Sequence, residues 1–411
     1  MRIDGSYFLL FAYFILIISG IVIPSDGSHG LLSPKSLTFL FAGLALFVHL
    51  LFNPVLNSPI QKLISFFSYL ILGLSLFFAW GLAYPAQAVD QFKLFIITIF
   101  VPLLSLYLLF RGIIEAKTLI KFVIFTSFAF TCIKLCLVAL HIAHVIDLFK
   151  LMEKAGIRFM SMGIYGSLAR VQTSVDILTP FALYFALMHK SFDFKLSKKF
   201  LAIFIPFTWL ALVLSFSRYL FILGVMAHVC YWITLEHKRL AWVLFRISWL
   251  VAAITMLIGP VKVIEVLEKR FNSEHSERSD EARKIQIQSL TEAFFTSPIF
   301  GKGMGGFAED TIRDSSFKHS YEVQWVAFLM QFGILGLTLL LTPLFYIFYL
   351  LFPVDRLRSS LLIMFILWLL SGFTNPFLIS LTSGIIYSIF VVAGYTIKHI
   401  EFYHAKRVTS S

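Results

Sequence analysis

A histidine and a glutamate three residues apart are the strongest candidates in this sequence for acid–base chemistry. His319 and Glu322 lie in the segment 318–322, directly before a long apolar run. Histidine exchanges a proton near neutral pH, and a neighbouring carboxylate can orient the ring or replace it as the base. If a helix begins by residue 318, the two side chains share one face. The alternative is that His319 is an amphipathic anchor at a membrane interface.

A glycine-rich stretch and an aromatic stripe flank this pair. Residues 301–306 read Gly-Lys-Gly-Met-Gly-Gly, which suits either a flexible turn or an anion-binding nest. The stretch follows a predicted helix rather than a strand and lacks the ending of a P-loop, so a nucleotide-binding loop is excluded. Aromatic residues recur at helical spacing from Tyr321 through Trp325 to Phe332, which indicates an aromatic face entering the membrane interface.

The elements that must position these residues are membrane helices. Hydrophobic residues make up 59% of the 411 residues, 14% are charged, and the mean hydropathy is +0.88. Soluble proteins carry about a quarter charged residues. Apolar runs of about 18 residues or more recur along the chain, and a helix of that length spans the hydrocarbon layer. Because backbone groups in lipid must be satisfied internally, we expect an all-α, polytopic transmembrane helical bundle.

We predict that residues 1–411 form a single integral membrane domain with about twelve spans. The tenth span is long enough to begin as a surface segment. The spans lie near 6–24, 36–54, 61–83, 92–110, 119–141, 173–188, 199–217, 219–235, 240–263, 323–352, 359–373 and 376–397.

Lysine and arginine residues assign the two sides of the membrane. Short cytoplasmic loops are enriched in these residues, and the bias along this chain is consistent if both termini are cytoplasmic. This orientation places a smaller loop, 142–172, and a large loop, 264–322, on the outer side. In the large loop, Ser279 can cap an amphipathic helix that ends before Pro298.

The formal net charge of +12 arises mostly from this topology and from attraction to anionic lipid headgroups. The outer segments nevertheless retain many cations, part of which are ordinary solvated charges and the rest of which indicate an anionic ligand. A nucleic-acid partner would need a basic face on a soluble domain, and none is predicted. The three cysteines fall in predicted spans without zinc-type spacing, so we expect neither a metal site nor a disulfide framework.

Several short motifs occur in order over residues 170–376. They are Ser215-Phe216-Ser217-Arg218, Arg278 or Arg283, the segment 297–303, His319-Ser320, the segment 331–336 and Asn375-Pro376. In their order and membrane side they resemble the O-antigen ligase and polymerase superfamily of bacterial membrane glycosyltransferases. The N-terminal helices match that superfamily only in topology.

The resemblance implies a GT-C-like, inverting, metal-independent glycosyltransferase without a cofactor. It further implies a bacterial inner-membrane location, with the active site facing the periplasm among membrane lipids. Such enzymes transfer an oligosaccharide from undecaprenyl diphosphate to an acceptor. The acceptor is another lipid-linked repeat unit for polymerases and lipid A–core for ligases. For a polymerase, the resemblance also implies a partner that regulates chain length.

The same resemblance assigns a diphosphate-binding role to cationic residues of the outer side. Fixed guanidinium groups bind phosphate bidentately and stabilise the charge of a departing diphosphate. Arg218 is the best candidate, because it lies at a predicted helix end beside polar residues. Arg170 and Arg283 complete the clamp, with Arg278 and Lys302 as further candidates.

The resemblance also assigns the acid–base and substrate contacts. His319 would deprotonate the acceptor hydroxyl, with Glu322 orienting or replacing it. Ser217, Tyr321 and Trp325 would contact sugar or lipid. The His-Ser pair lies about one helical turn further from the closing glycine motif than in ligases. This spacing favours a polymerase and leaves open which of the two residues is the base.

A transporter or lipid flippase is the alternative from another functional class. Such proteins usually contain internal repeats, broken helices at the midplane and charges along a path. The sequence has few mid-span charges, and the long loop late in the chain breaks symmetry between its halves. The simpler alternatives for two arginines are that Arg218 snorkels to headgroups and that Arg170 pairs with Asp176.

Overall fold

The computed structural model describes residues 5–24, 33–54, 58–154, 160–165, 168–234, 274–313, 315 and 317–409. The helices are α1 (Gly5–Val22), α2 (Pro34–Phe52), α3 (Ser58–Trp80), α4 (Pro85–Phe110), α5 (Ala116–Ile142), α6 (Leu148–Lys154), α7 (Thr179–Leu187), α8 (Lys198–Leu214), α9 (Arg218–Thr234), α10 (Glu274–Phe295), α11 (Gln324–Leu351), α12 (Arg356–Leu370) and α13 (Leu381–Thr409). Short 3-10 turns extend α3, precede α7 and extend α12.

Eight of the described helices are long and apolar enough to cross a membrane, namely α1 to α5 and α11 to α13. A helical membrane bundle is therefore confirmed. The predicted spans near 173–188, 199–217 and 219–235 are also helices, but α7 has nine residues and α8 and α9 have 17 each, so they are not among these eight. The predicted span at 240–263 lies outside the described residues.

Phenylalanine-rich packing joins the C-terminal helices to the middle of the bundle. Phe181 of α7 meets Trp368 of α12 edge to face at 5.9 Å between ring centroids. Phe390 of α13 contacts Phe185 at 5.8 Å and Phe365 at 5.4 Å. All five side chains are almost completely buried. Such aromatic pairs stabilise contact beyond the apolar area they bury, so these four phenylalanines and Trp368 hold the C-terminal helices to α7.

The predicted loop at 142–172 contains more structure than the sequence indicates. Helix α6 is followed by an antiparallel hairpin of β1 (Met160–Tyr165) and β2 (Leu168–Gln172), in which Met160 faces Gln172. The all-α expectation therefore misses one small two-stranded sheet. Its β-branched signal is too brief to stand out in a chain that is apolar nearly throughout.

Helix α11 is broken at Gly333, where φ is 60° and ψ is −169°. The sequence interpretation, which expects this span to begin as a surface segment, does not predict this internal break. A broken helix exposes backbone groups that lipid cannot satisfy. Here the segment 298–303 satisfies them on both sides of the break. Before it, the N–H groups of Lys302 and Gly303 donate to the carbonyls of Met330 and Gln331 at 2.9 and 2.8 Å.

After the break the same segment accepts hydrogen bonds. The N–H groups of Ile334 and Leu335 donate to the carbonyls of Pro298 and Ile299 at 2.9 and 3.1 Å. The large loop is therefore built into the bundle rather than resting above it. This insertion fixes the position of every candidate residue that follows in the loop.

Candidate functional site

The candidate residues whose side chains the structure describes lie at one end of the bundle, which we call the loop end. Helices α3, α5, α8 and α12 finish there, α4, α9, α11 and α13 begin there, and residues 274–323 connect to it. Trp325 Nε1 donates to the carbonyl of Leu369 at 2.8 Å, and the hydroxyl of Tyr219 donates to the carbonyl of Leu367. The last turns of α12 therefore bring Trp325 and Arg218, the neighbour of Tyr219, to one region.

The glycine stretch is a buried and fully bonded element rather than a flexible turn or an open anion nest. The N–H of Gly301 donates to Ser297 O at 2.8 Å, that of Met304 to Phe77 O at 3.1 Å, and that of Gly305 to Gln91 Oε1 at 2.6 Å. Gly306 N–H donates to Gly303 O at 3.1 Å. With Lys302 and Gly303 bonded to α11, no backbone donor of 301–306 is left for a phosphate.

Two glutamines that the sequence interpretation missed hold this element in place. Gln91 Nε2 donates to Gln331 Oε1 at 2.7 Å, and both side chains are buried. Gln331 Nε2 donates to the carbonyls of Gly306 at 2.9 Å and His319 at 3.1 Å. A buried amide must find partners for its donors and acceptor, so this network fixes the backbone at His319. Isolated amides in apolar spans are the sequence signal that could have identified them.

His319 is 5% exposed, and its ring lies 6.2 Å from that of Phe317. This burial argues against an anchor whose polar tip reaches the interface. The helix that follows begins only at Gln324. The condition for a shared helical face with Glu322 is therefore not met, because residues 318–323 form a turn and a bend rather than a helix.

Glu322 is engaged by two arginines of the large loop. Its carboxylate accepts from Arg283 Nε at 3.0 Å and lies 3.5 Å from Arg313 Nη2. Arg283 also binds Asp280 at 2.7 Å through Nη1. The N–H of Glu322 donates to Gln286 Oε1 at 3.0 Å. This cluster ties α10 to the start of α11 and places Arg283, a predicted diphosphate ligand, on a carboxylate.

Neutralising Glu322 tests how much this cluster stabilises the loop. Glu322→Gln is expected to lower the free energy of unfolding by about 1 kcal/mol, because the partners are partly exposed and screened by salt. The loss should shrink as ionic strength rises. Unfolding by SDS in mixed micelles at two salt concentrations measures it. A larger, salt-independent loss would contradict a screened ion cluster.

Arg218 opens α9 and is half-buried. Within the described part of the chain it forms no hydrogen bond or ion pair. Ser217, a predicted substrate contact, lies at the start of this helix, where its Oγ accepts from Leu220 N–H at 3.5 Å. Phe216 adopts a positive φ of 46°, unusual for a bulky residue, and so turns the chain sharply into the helix. A cation at a helix N-terminus makes this position suited to an anion.

The other predicted cations divide into two groups. Arg170 lies in β2 and Arg278 in α10, but their side chains lie outside the described part of the structure. Lys302 is half-buried and its Nζ donates to Phe307 O at 3.4 Å. Lys302 belongs to the glycine stretch, so its ammonium group lies at the loop end.

Asp176 pairs with Lys134 in the described part of the structure. Lys134 Nζ donates to Asp176 Oδ1 at 2.6 Å, and both side chains are buried. Asp176 Oδ2 accepts from Thr173 N–H at 2.7 Å and from its hydroxyl at 3.2 Å. This buried ion pair connects α5 to the turn that follows β2, whereas the predicted pairing of Asp176 with Arg170 involves a side chain outside the described part of the structure.

The two predicted aromatic contacts have different surroundings. Tyr321 is 1% exposed and accepts from Ala308 N–H at 2.9 Å, so it stabilises the loop core. Burial raises the pKa of its hydroxyl. Trp325 is half-buried and lines an open apolar groove between α3, α4, α11 and α13.

This groove has the character of a hydrocarbon site. On α4 its lining runs from Phe95 to Leu106, about 16 Å along the helix axis. The Thr98 hydroxyl in its wall is already bonded to the carbonyls of Leu94 and Ser380. Phe95 lies one turn after Gln91, so the polar network that holds His319 borders the groove. A polar region at the loop end thus adjoins a long apolar channel.

No family model matches the chain, and neither a curated protein nor a solved structure matches it. The superfamily resemblance accordingly stays a prediction made from the motifs, and the geometry described above is the basis for assigning a function.

Proposed function

We propose that this chain is a membrane glycosyltransferase of the twelve-span, GT-C-like type. It takes an oligosaccharide linked to undecaprenyl diphosphate and joins it to a glycan acceptor at the outer face of a bacterial inner membrane. Polymerisation of O-antigen or a related surface polysaccharide is the favoured reaction. Ligation to lipid A–core is the alternative, and the His-Ser spacing favours polymerisation over it.

The observation that carries this proposal is the junction of a polar region with an apolar groove. A lipid-linked sugar has a long hydrocarbon tail, an anionic diphosphate and a polar glycan. The groove suits the tail, and Trp325 at its loop end suits the boundary between tail and sugar. Arg218, uncommitted among the described residues and placed at a helix N-terminus, suits the diphosphate.

The proposed step is an inverting displacement. The acceptor hydroxyl attacks the anomeric carbon, and the bond from that carbon to the diphosphate oxygen breaks. His319 takes the hydroxyl proton, and Arg218 stabilises the charge that develops on the leaving diphosphate. Glu322 already holds two arginines, so we assign it a positioning role. Arg283 can bind the diphosphate only if it first gives up its contact with Asp280 or Glu322.

Glycan length in cells tests this function. In a strain lacking the chain, a single repeat unit on the lipid core is expected from loss of a polymerase. Bare core with accumulated lipid-linked polymer would identify a ligase instead. Arg218→Ala and His319→Ala, expressed at normal levels, should fail to restore the ladder on denaturing gels. In vitro, removal of one leaving-group donor should reduce turnover by about 100- to 1000-fold.

Lys284→Ala is the matched control, because Lys284 is an exposed cation of the same loop. It should restore a normal ladder. A normal ladder in the strain lacking the chain would contradict both glycan functions and favour transport.

Transport remains the second candidate because α11 is broken, as helices of many transporters are. In such proteins the freed backbone groups coordinate substrate or ions. Here residues 298–303 already occupy those groups on both sides of Gly333. The break therefore supports an inserted loop better than a transport site.

A further inference from the structure

An exposed apolar corner lies where the large loop enters the bundle, and we call it the corner patch. It consists of Phe295, Ile299, Phe300, Trp80 and Leu82, which are 70%, 60%, 50%, 61% and 54% exposed. Phe300 lies 6.2 Å from Trp80 between ring centroids. Single exposed apolar residues are ordinary, but a contiguous patch of this kind marks a contact surface.

The backbone fixes the depth of the patch. Ile299 O accepts from Leu335 N–H at 3.1 Å, so this part of the loop runs beside the first turn of α11 after its break. The same turn packs against α3 near its end, because a Cβ built on Gly336 would lie 2.7 Å from the Phe77 ring. Ile299 therefore lies near the level of the last turn of α3, about 5 Å inside its end at Trp80.

The patch is also continuous with surfaces that face lipid. Ile334 and Leu335 of α11 are 56% and 52% exposed, and Leu76 of α3 is 66% exposed. All three belong to helices long and apolar enough to span a membrane. The indole N–H of Trp80 donates to Gly301 O at 3.2 Å, so its polar group is satisfied while its ring stays exposed. Tryptophan in that setting is typical of the membrane interface.

We propose that the corner patch inserts into the bilayer and anchors the large loop in the same leaflet as the end of α3. Its partner is lipid, at the boundary between acyl chains and headgroups. The segment 295–300, which the topology places in an aqueous loop, is then a re-entrant membrane anchor. Through the glycine element and α10 it holds His319 and the Glu322 cluster against the bundle. The loop therefore does not swing away from the membrane as a unit.

Spin-label accessibility in liposomes tests this anchor. Single cysteines replace Phe295, Ile299 or Phe300 in full-length protein whose three native cysteines are serine, reconstituted in phosphatidylcholine and phosphatidylglycerol. Labels at 299 and 300 should collide more with oxygen than with a water-soluble nickel chelate, as a label replacing lipid-facing Leu76 does. A label replacing Gln288, exposed earlier on α10, should show the opposite preference.

Two results would overturn the proposal in proteins that elute as folded, monodisperse species. Greater nickel accessibility at 299 and 300 would place the corner patch in water. If neither oxygen nor the nickel chelate reaches the labels at 299 and 300, protein, such as a second copy of the chain, covers the corner patch. The label at 295 lies at the end of α10 and should give an intermediate depth, so it checks the direction of insertion.

Discussion

Replacing Gly301 or Gly333 with alanine is expected to prevent the large loop from entering the bundle. Both residues have positive φ, and a Cβ on Gly301 would lie 2.4 Å from Gln331 O. A Cβ on Gly333 would lie 2.3 Å from Ile299 O. The backbone segments around Gly301 and Gly333 cannot move apart to make room for a Cβ without breaking the hydrogen bonds that satisfy α11. We expect a loss of at least about 4 kcal/mol, measured by unfolding in mixed micelles or by loss of folded protein.

Two glycines serve as controls that separate strain from collision. Gly112 has a φ of +66°, but a Cβ there would meet nothing within 4 Å. Gly112→Ala should therefore cost only about 1–2 kcal/mol for the left-handed conformation. Gly43 lies within α2 with open space around it, so Gly43→Ala should be neutral or slightly stabilising. Equal losses at Gly112 and Gly301 would contradict the close-approach argument.

The buried Lys134–Asp176 pair gives the second large effect. Lys134→Met is expected to destabilise the protein by about 3–5 kcal/mol, because it leaves a buried carboxylate without its cation. The double variant Lys134→Met, Asp176→Asn should recover most of that loss. It removes both charges and keeps an acceptor for the Thr173 N–H. Unfolding in mixed micelles measures the single and double variants together.

Lys117→Met is the matched control, since Lys117 pairs with Glu115 on an exposed turn. It should change stability little. If the Lys134, Asp176 double variant is no more stable than Lys134→Met, the carboxylate is not the group that the lysine stabilises. The pair would then act through packing alone.

The candidate site shows where prediction from the sequence ended. His319 and Glu322 stand out by residue type and spacing, but a shared helical face requires a helix from residue 318, and the helix begins only at Gln324. Their surroundings depend on Gln91, which lies 240 residues before its partner Gln331. Spacing along the chain carries no information about such a pair.

The role of the glycine stretch, like the surroundings of His319, depends on residues that are distant along the chain. Six residues rich in glycine suggested a turn or a phosphate cradle, and local sequence permitted both. Only the docking of Phe77 and Gln91 against the loop decided that its donors are consumed by protein. Glycine is needed here because the backbone of the loop packs directly against the backbones of α3, α4 and α11, and that contact exists only in the folded structure.

The sequence by itself determined that this chain is a bundle of membrane helices. Lipid offers no hydrogen bonds, so long apolar runs must be helical whatever their neighbours, and their length is visible in the composition of each segment. The tertiary structure alone decided which polar group meets which. Lys134 meets Asp176, Glu322 meets Arg283, and the loop fills the break at Gly333. Those partners are distant along the chain, and each pairing depends on where the packed helices bring the groups together.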